Sequence, residues 1–165
     1  SVASRGLGDV YKRQLYAGVH RRIETKGYIG SVRIIDDYAH HPTEIMATLE
    51  AVKKMAKGRI ITIFQPHTFT RTQKLLEGFA EAFKRSDVTI ITDIYAAREK
   101  DTKVVHSKDL IKSMKDHGYD AMYISKFEDI ENYLLDNLRE NDIILTVGAG
   151  NIYKLGEDLL DIKEK

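Results

Sequence analysis

The chain has 165 residues, within the roughly 100–200 usual for one domain, and its 26 basic and 25 acidic residues leave a formal net charge of +1. So small a charge provides no bulk field for nucleic acid or an anionic membrane. The absence of cysteine excludes disulfides, thiolate nucleophiles, iron–sulfur clusters and cysteine-based zinc sites, and fits a reducing cytoplasm. No apolar run approaches the roughly 20 residues of a membrane helix, and none reads as a signal peptide.

Ser1–Gln14 shows neither helical nor strand periodicity and reads as a disordered or non-native tail, leaving 15–165 as one domain. Val19–Tyr28 and Ser31–Asp36 are strand-like runs around a turn containing Gly27 and Gly30, so a hairpin is expected. Pro42–Ala56 carries Ile45, Leu49, Val52 and Met55 at helical spacing. Arg59–Phe64 is an almost wholly apolar strand of the kind covered on both faces. Thr70–Lys84 reads as one helix, Val88–Ile91 as a strand, and a polar loop runs on through Lys103. Ser107–His117 reads as a helix capped by Ser107 and stopped by Gly118. A strand at Ala121–Ile124, a helix at Phe127–Leu138, a strand at Ile143–Val147 and a helix at Asn151–Ile162 complete the chain. This alternation predicts an α/β fold, Rossmann-like, with three layers (αβα) and a mostly parallel sheet bearing an antiparallel edge hairpin.

In open parallel sheets ligands bind beyond the carboxyl ends of the strands, so the turns there carry the functional reading. They are Asp36-Asp37-Tyr38-Ala39-His40-His41-Pro42, Gln65-Pro66-His67-Thr68-Phe69-Thr70-Arg71, Asp93–Lys100 and Gly148-Ala149-Gly150-Asn151. Each residue also has a plainer explanation. Pro42 suits a first helical position, His40 or His41 can cap or pack, and Arg98 can be a solvated loop charge. Arg71 falls in the first turn of a predicted helix, where the macrodipole disfavours a cation, and an anionic ligand would offset that mismatch. Asp37 at a strand end is placed to cap locally or to accept from ribose hydroxyls. His40, His41, His67 and His106 with Asp36 and Asp37 are enough ligand types for zinc. Adjacent histidines rarely share one ion, however, and no HxxxH or HExxH spacing occurs, so no metal site is assigned. The GAG turn lacks the spacing of a phosphate loop.

The four motifs DDYAHHPTEI, FQPHTFTRT, TDIYAAREK and LTVGAGNIYKLGE, in this order, resemble the carboxy-terminal domain of the Mur ligases, and within that family its alanine-adding branch. GVHRRIETKG resembles the segment that opens the domain. The likeness begins near Tyr16 and leaves Ser1–Gln14 unmatched. It implies an ATP- and Mg²⁺-dependent cytoplasmic enzyme of peptidoglycan synthesis that phosphorylates the lactyl carboxylate of UDP-N-acetylmuramate and passes the acyl group to L-alanine. The UDP-sugar domain and the central P-loop domain, with the Mg²⁺ ligands, would lie outside this chain, which alone is expected to be inactive.

The resemblance implies that Asp37 reaches the ATP ribose with His41 nearby, and that Tyr38, His40, His67 and Arg71 face the amino acid and acyl phosphate. Arg71 would clamp the L-alanine carboxylate, His40 or His67 would orient or deprotonate the amine, and Asn151 is a further substrate-binding candidate. Many relatives read FQPHRYTRT, so Thr68 stands where an Arg is expected, Phe69 replaces a Tyr, and a second charge contact there is lost. The alternatives are a free-standing flavodoxin-like nucleotide-binding or phospho-acceptor module using Asp36 and Asp37, and a remnant whose turns only stabilise the fold.

Overall fold

The computed structural model describes residues 21–164. The tail at 1–14, the domain boundary at 15 and the start of the expected first strand at 19–20 lie outside the described residues. Twelve elements follow: β1 (Glu24–Ile29), β2 (Val32–Asp37), α1 (Pro42–Met55), β3 (Ile60–Phe64), α2 (Phe69–Lys74), α3 (Leu76–Ala82), β4 (Val88–Ile91), α4 (Ser107–Asp116), β5 (Met122–Tyr123), α5 (Phe127–Asn137), β6 (Ile143–Val147) and α6 (Tyr153–Glu164). The sheet order is β1-β2-β6-β3-β4-β5, antiparallel between β1 and β2 and parallel elsewhere.

The central strands are buried along their whole length, β3 as IITIF and β6 as IILTV, because helices cover both faces. Alternating side chains feed two cores. Ile35, Ile60, Phe64 and Ile91 pack under α1, α3 and α4 with Leu49, Phe79, Phe83 and Leu110. Ile34, Ile61, Ile63 and Ile90 pack under α5 and α6 with Ile130, Leu134, Leu155 and Leu159. The parallel register then decides where function can sit. Asp37 pairs with Val147, Val147 with Phe64, and Phe64 with Ile91, so four strands end in one row. The turns after β2, β3, β4 and β6 therefore open along the same edge.

Several local expectations are corrected. Gly30, at φ +57°, sits in a two-residue turn closed by the Ile29–Val32 pair. Gly27 is instead inside β1 beside a register shift, where a Cβ would lie 2.9 Å from Leu160 of α6. The expected helix at Thr70–Lys84 is two helices that break at Leu75, whose φ and ψ of −109° and 18° leave the helical region. The cause is divided anchoring: α3 is drawn into the core by buried Phe79, while α2 is held over the sheet edge by Glu99, which accepts from the Phe69 and Thr70 N–H groups. His106, not Ser107, caps α4 by accepting from Lys108 N–H, and Ser107 turns inward to donate to the Thr92 carbonyl at 2.5 Å. Among the described residues, no helix is long and apolar enough to cross a membrane.

Candidate functional site

The turn after β2 leaves the sheet at Asp37 and enters α1 at Pro42, with His41 as N-cap. His41 Nδ1 accepts from Thr43 N–H, while Glu44 accepts from His41 N–H at 3.1 Å, a reciprocal capping box. His41 itself is exposed. The box fixes the turn, so Tyr38 and His40 project from a rigid base. Their rings meet edge to face at a centroid distance of 5.4 Å, and His40 Nδ1 lies 3.1 Å from the Tyr38 carbonyl.

The turn after β3 brings His67 to within 6.0 Å of the His40 ring. On its other side His67 lies nearly parallel to Tyr95, at 5.5 Å and 20°, and the two residues form an isolated β-bridge that extends the β3–β4 pairing past the strand ends. Tyr38, His40, His67 and Tyr95 thus form one row of rings along the carboxyl edge. Tyr95 was missed by sequence reading. Its signal, an aromatic four residues after the end of β4, becomes informative only once the register places it opposite His67.

Arg71, half-buried on α2, completes the row. Its charge reaches both His67 and Glu99. Thr68, in the position where relatives carry Arg, is the N-cap of α2. Its hydroxyl accepts from Arg71 N–H at 3.3 Å, and its backbone holds φ +63°, an uncommon conformation for a β-branched residue. His67 titrates below its ordinary value of 6.5, because burial penalises its charged form and the neighbouring His40 ring and Arg71 guanidinium disfavour a further proton, against a smaller pull from Glu99. At neutral pH it is a neutral imidazole with Nδ1 buried and without a hydrogen-bond partner.

The two carboxylates end β2, as the sequence predicts, and both are enclosed there. Asp36 and Asp37 are both 0% exposed. Asp36 accepts from Thr146 Oγ1 at 2.6 Å and pairs with Arg21 Nε at 2.9 Å. Asp37 accepts from Ala39 N–H at 2.8 Å and from Ile23 N–H at 2.9 Å. Burial pushes both carboxyls up from 3.8; hydrogen bonds from Thr146 and Arg21 oppose this at Asp36, and from Ala39 and Ile23 at Asp37. Asp37 thus caps the local backbone, the first of the two roles open to it from the sequence. In this arrangement the segment Arg21–Ile23 covers it, and a ribose hydroxyl has no access.

Asn151 Oδ1 accepts from Gln65 Nε2 at 2.8 Å, so its side chain braces the turn after β3 against the one after β6. Arg98 is exposed. His106 belongs to a separate hollow with Asp93, Asp101 and Tyr123. Among the described residues, no three His, Cys, Asp or Glu side chains converge in a way that could hold a metal ion.

The sequence and the fold are matched in known proteins. The sequence pattern of the family described as Mur ligase, glutamate ligase domain, covers residues 21–150. The chain belongs to the Mur ligase family. It corresponds to that family's carboxy-terminal domain. This Mur ligase domain is 55% identical over 150 residues to the UDP-N-acetylmuramate–L-alanine ligase of Caldanaerobacter subterraneus, covering 91% of this chain and 33% of that protein. It is 51% identical over 149 residues to the corresponding ligase of Acetivibrio thermocellus, covering 90% of this chain and 32% of the relative. The crystal structure of UDP-N-acetylmuramate–alanine ligase from Thermotoga maritima superimposes with a TM-score of 0.70 at 28% identity, over 88% of this chain and 30% of that one. The Mur ligase domain thus spans about a third of the length of these relatives.

Proposed function

We propose that this domain supplies the amino-acid side of the active site in an ATP-dependent ligase of peptidoglycan synthesis, one that joins L-alanine to UDP-N-acetylmuramate. The observation that carries the proposal is the row Tyr38, His40 and His67 beside Arg71 on a single sheet edge. The identity of the relatives' names with this reaction supports it.

In this reading the lactyl carboxylate of UDP-N-acetylmuramate is first phosphorylated by ATP, with loss of ADP. The L-alanine nitrogen then attacks the acyl carbon, its C–N bond forms, and the bond to phosphate breaks. The domain's own residues handle the amino acid. The Arg71 guanidinium matches the L-alanine carboxylate with two parallel hydrogen bonds. An attacking amine must be neutral, and His67, unprotonated at pH 7 by burial and by the Arg71 charge near it, is suited to take the proton. His40, 6.0 Å away, orients the amine or relays that proton. Tyr38 forms the apolar wall at the exposed end of the row.

ATP would be held mainly by chain outside this domain, as would Mg²⁺. Asp37 would meet the ribose only after the Ile23 N–H is exchanged for a hydroxyl, which requires Arg21–Ile23 to move away. His41 would flank the nucleotide on that side, and Asn151 would approach the amino acid only on releasing Gln65. The domain by itself would bind L-alanine weakly and catalyse nothing, working in the cytoplasm with the two other domains of the enzyme. A phospho-acceptor role for Asp36 or Asp37 is disfavoured, since both carboxylates are enclosed and already bonded.

Titration of the 165-residue chain with L-alanine, followed by NMR, tests the reading. Resonances of His40, His67 and Arg71 should move together, and more strongly when the other two domains are added with ATP and UDP-N-acetylmuramate. Resonances unmoved at tens of millimolar L-alanine in the assembled system would refute it.

A further inference from the structure

The row of rings is closed at both ends by one residue outside it. Arg21 lies just before β1, and its side chain is 14% exposed. Every guanidinium nitrogen is used: Nε donates to Asp36 Oδ2 at 2.9 Å, Nη1 to the Gly150 carbonyl at 2.8 Å, and Nη2 to the Gly148 carbonyl at 2.5 Å. The guanidinium carbon lies 5.1 Å from the Tyr38 ring centroid and 4.7 Å from that of Tyr153. The Arg21 carbonyl accepts from Tyr38 N–H at 2.5 Å, so Tyr38 is gripped through both backbone and ring.

The far end of the row depends on the same side chain. Gly148 and Gly150 give their loop little conformational preference of its own, with Gly148 at φ +151°. Its shape must come from what binds its carbonyls. Gly150 in turn packs so closely that a Cβ would lie 2.6 Å from Gln65 Oε1 and 2.7 Å from Tyr95 Cγ. Tyr95 stacks on His67. One arm of contacts therefore runs from Arg21 through Tyr38 to His40, and the other through Gly150 and Tyr95 to His67.

We propose that Arg21 is a positioning residue for the amino-acid subsite, its guanidinium setting the spacing of the His40–His67 pair by fixing Tyr38 and the Gly148–Gly150 loop together. The inference rests on reading that pair and Arg71 as the L-alanine subsite. A lysine could keep Asp36 paired, but a single ammonium on an unbranched stem cannot also reach both carbonyls in a fork. Replacement by an apolar residue would strand a buried carboxylate and threaten folding, so Arg21→Lys is the primary variant. Arg21→Met combined with Asp36→Asn, which removes both charges together, is the second.

In the full-length ligase carrying this domain, Arg21→Lys should raise KM for L-alanine about tenfold, with kcat changed less than about threefold and KM for ATP less than about twofold. In the 165-residue chain, the same substitution should speed amide hydrogen exchange at Ala149–Asn151 and move the Tyr38 and Tyr95 ring resonances, with the amides of β3 and β6 still protected. The double variant should behave alike if Arg21→Lys does not fold. An L-alanine KM within about twofold of the parent in a folded variant, or equal rises for L-alanine and ATP, would overturn the positioning role. Arg71→Ala separates the two claims. If it raises the L-alanine KM while Arg21→Lys does not, the subsite stands and the clasp falls; if Arg71→Ala has no effect, the subsite reading falls and the clasp with it.

Discussion

His67 lies flat against Tyr95, ring centroids 5.5 Å apart at 20°, although the two residues belong to different turns separated by the whole α2–α3–β4 passage. The Thr68 N–H donates to the Tyr95 carbonyl and the Tyr95 N–H to the Pro66 carbonyl, each at 2.8 Å, so the backbone fixes the stack from both sides. The candidate proton acceptor is thereby held by a residue that brings no charge of its own.

The stack makes Gly150 sensitive. Alanine there would set a methyl 2.7 Å from Tyr95 Cγ and 2.6 Å from Gln65 Oε1. Gly150→Ala should cost about 1–3 kcal/mol of stability and shift the His67 and Tyr95 ring resonances. Chemical denaturation and NMR of the variant provide the check; unmoved ring resonances would mean that the loop yields instead.

His67 should titrate below 6.5, since burial, the neighbouring His40 ring and the Arg71 charge disfavour its protonated form in the folded state. The unfolded chain then binds the proton more readily, so this contribution to stability is complete above pH 6.5 and is lost as pH falls through the folded value. Proton NMR of the His67 ring against pH reads it directly, and His67→Gln should flatten that part of the stability profile. A ring titrating above 6.5 would contradict the described surroundings.

Arg71→Ala in the full-length ligase should raise the L-alanine requirement about 10–100-fold, the loss of a charge-assisted pair of hydrogen bonds, with little change for ATP. Arg71→Lys should recover only part of this, because an ammonium lacks the planar fork. Steady-state kinetics with each substrate varied in turn decides it. Thr68 carries no charge, so no neighbouring cation in this motif can compensate.

At the opposite edge of the sheet, Asp142 takes Arg59 Nε at 3.1 Å and Nη2 at 2.7 Å, and accepts from Arg139 N–H at 2.7 Å. Burial works to raise its carboxyl, and these partners outweigh burial, holding it below 3.8. Asp142→Ala should cost roughly 2–3 kcal/mol, less than a fully enclosed pair because Arg59 can rehydrate. The pair's contribution is present above pH 3.8 and fades as pH falls through the folded value. Thermal melts of Asp142→Ala and the parent at pH 7 and pH 3 should converge at the lower pH.

Chain order alone carried much of this protein. Apolar runs at RIITIF and IILTV predicted buried central strands, the spacing of Ile45, Leu49 and Val52 predicted α1, and the turns after the strands named Tyr38, His40, His67 and Arg71. These features are local, set by side-chain periodicity and by polar residues collected at strand ends, and locality is what a sequence displays.

What needed the folded chain were contacts between residues far apart in sequence. The break at Leu75 follows from a tug between Glu99 on one helix and the core on the next. The enclosure of Asp37 follows from Ile23 folding back across it. Arg21 and Tyr95 look unremarkable in the sequence, and they acquire roles only because parallel register brings Asp36, Gly148, Gly150 and His67 to one edge. Residue type dictates which chemistry is available, but a hydrogen-bonding group's partner is set by strand pairing across more than a hundred residues, and that pairing exists only in three dimensions.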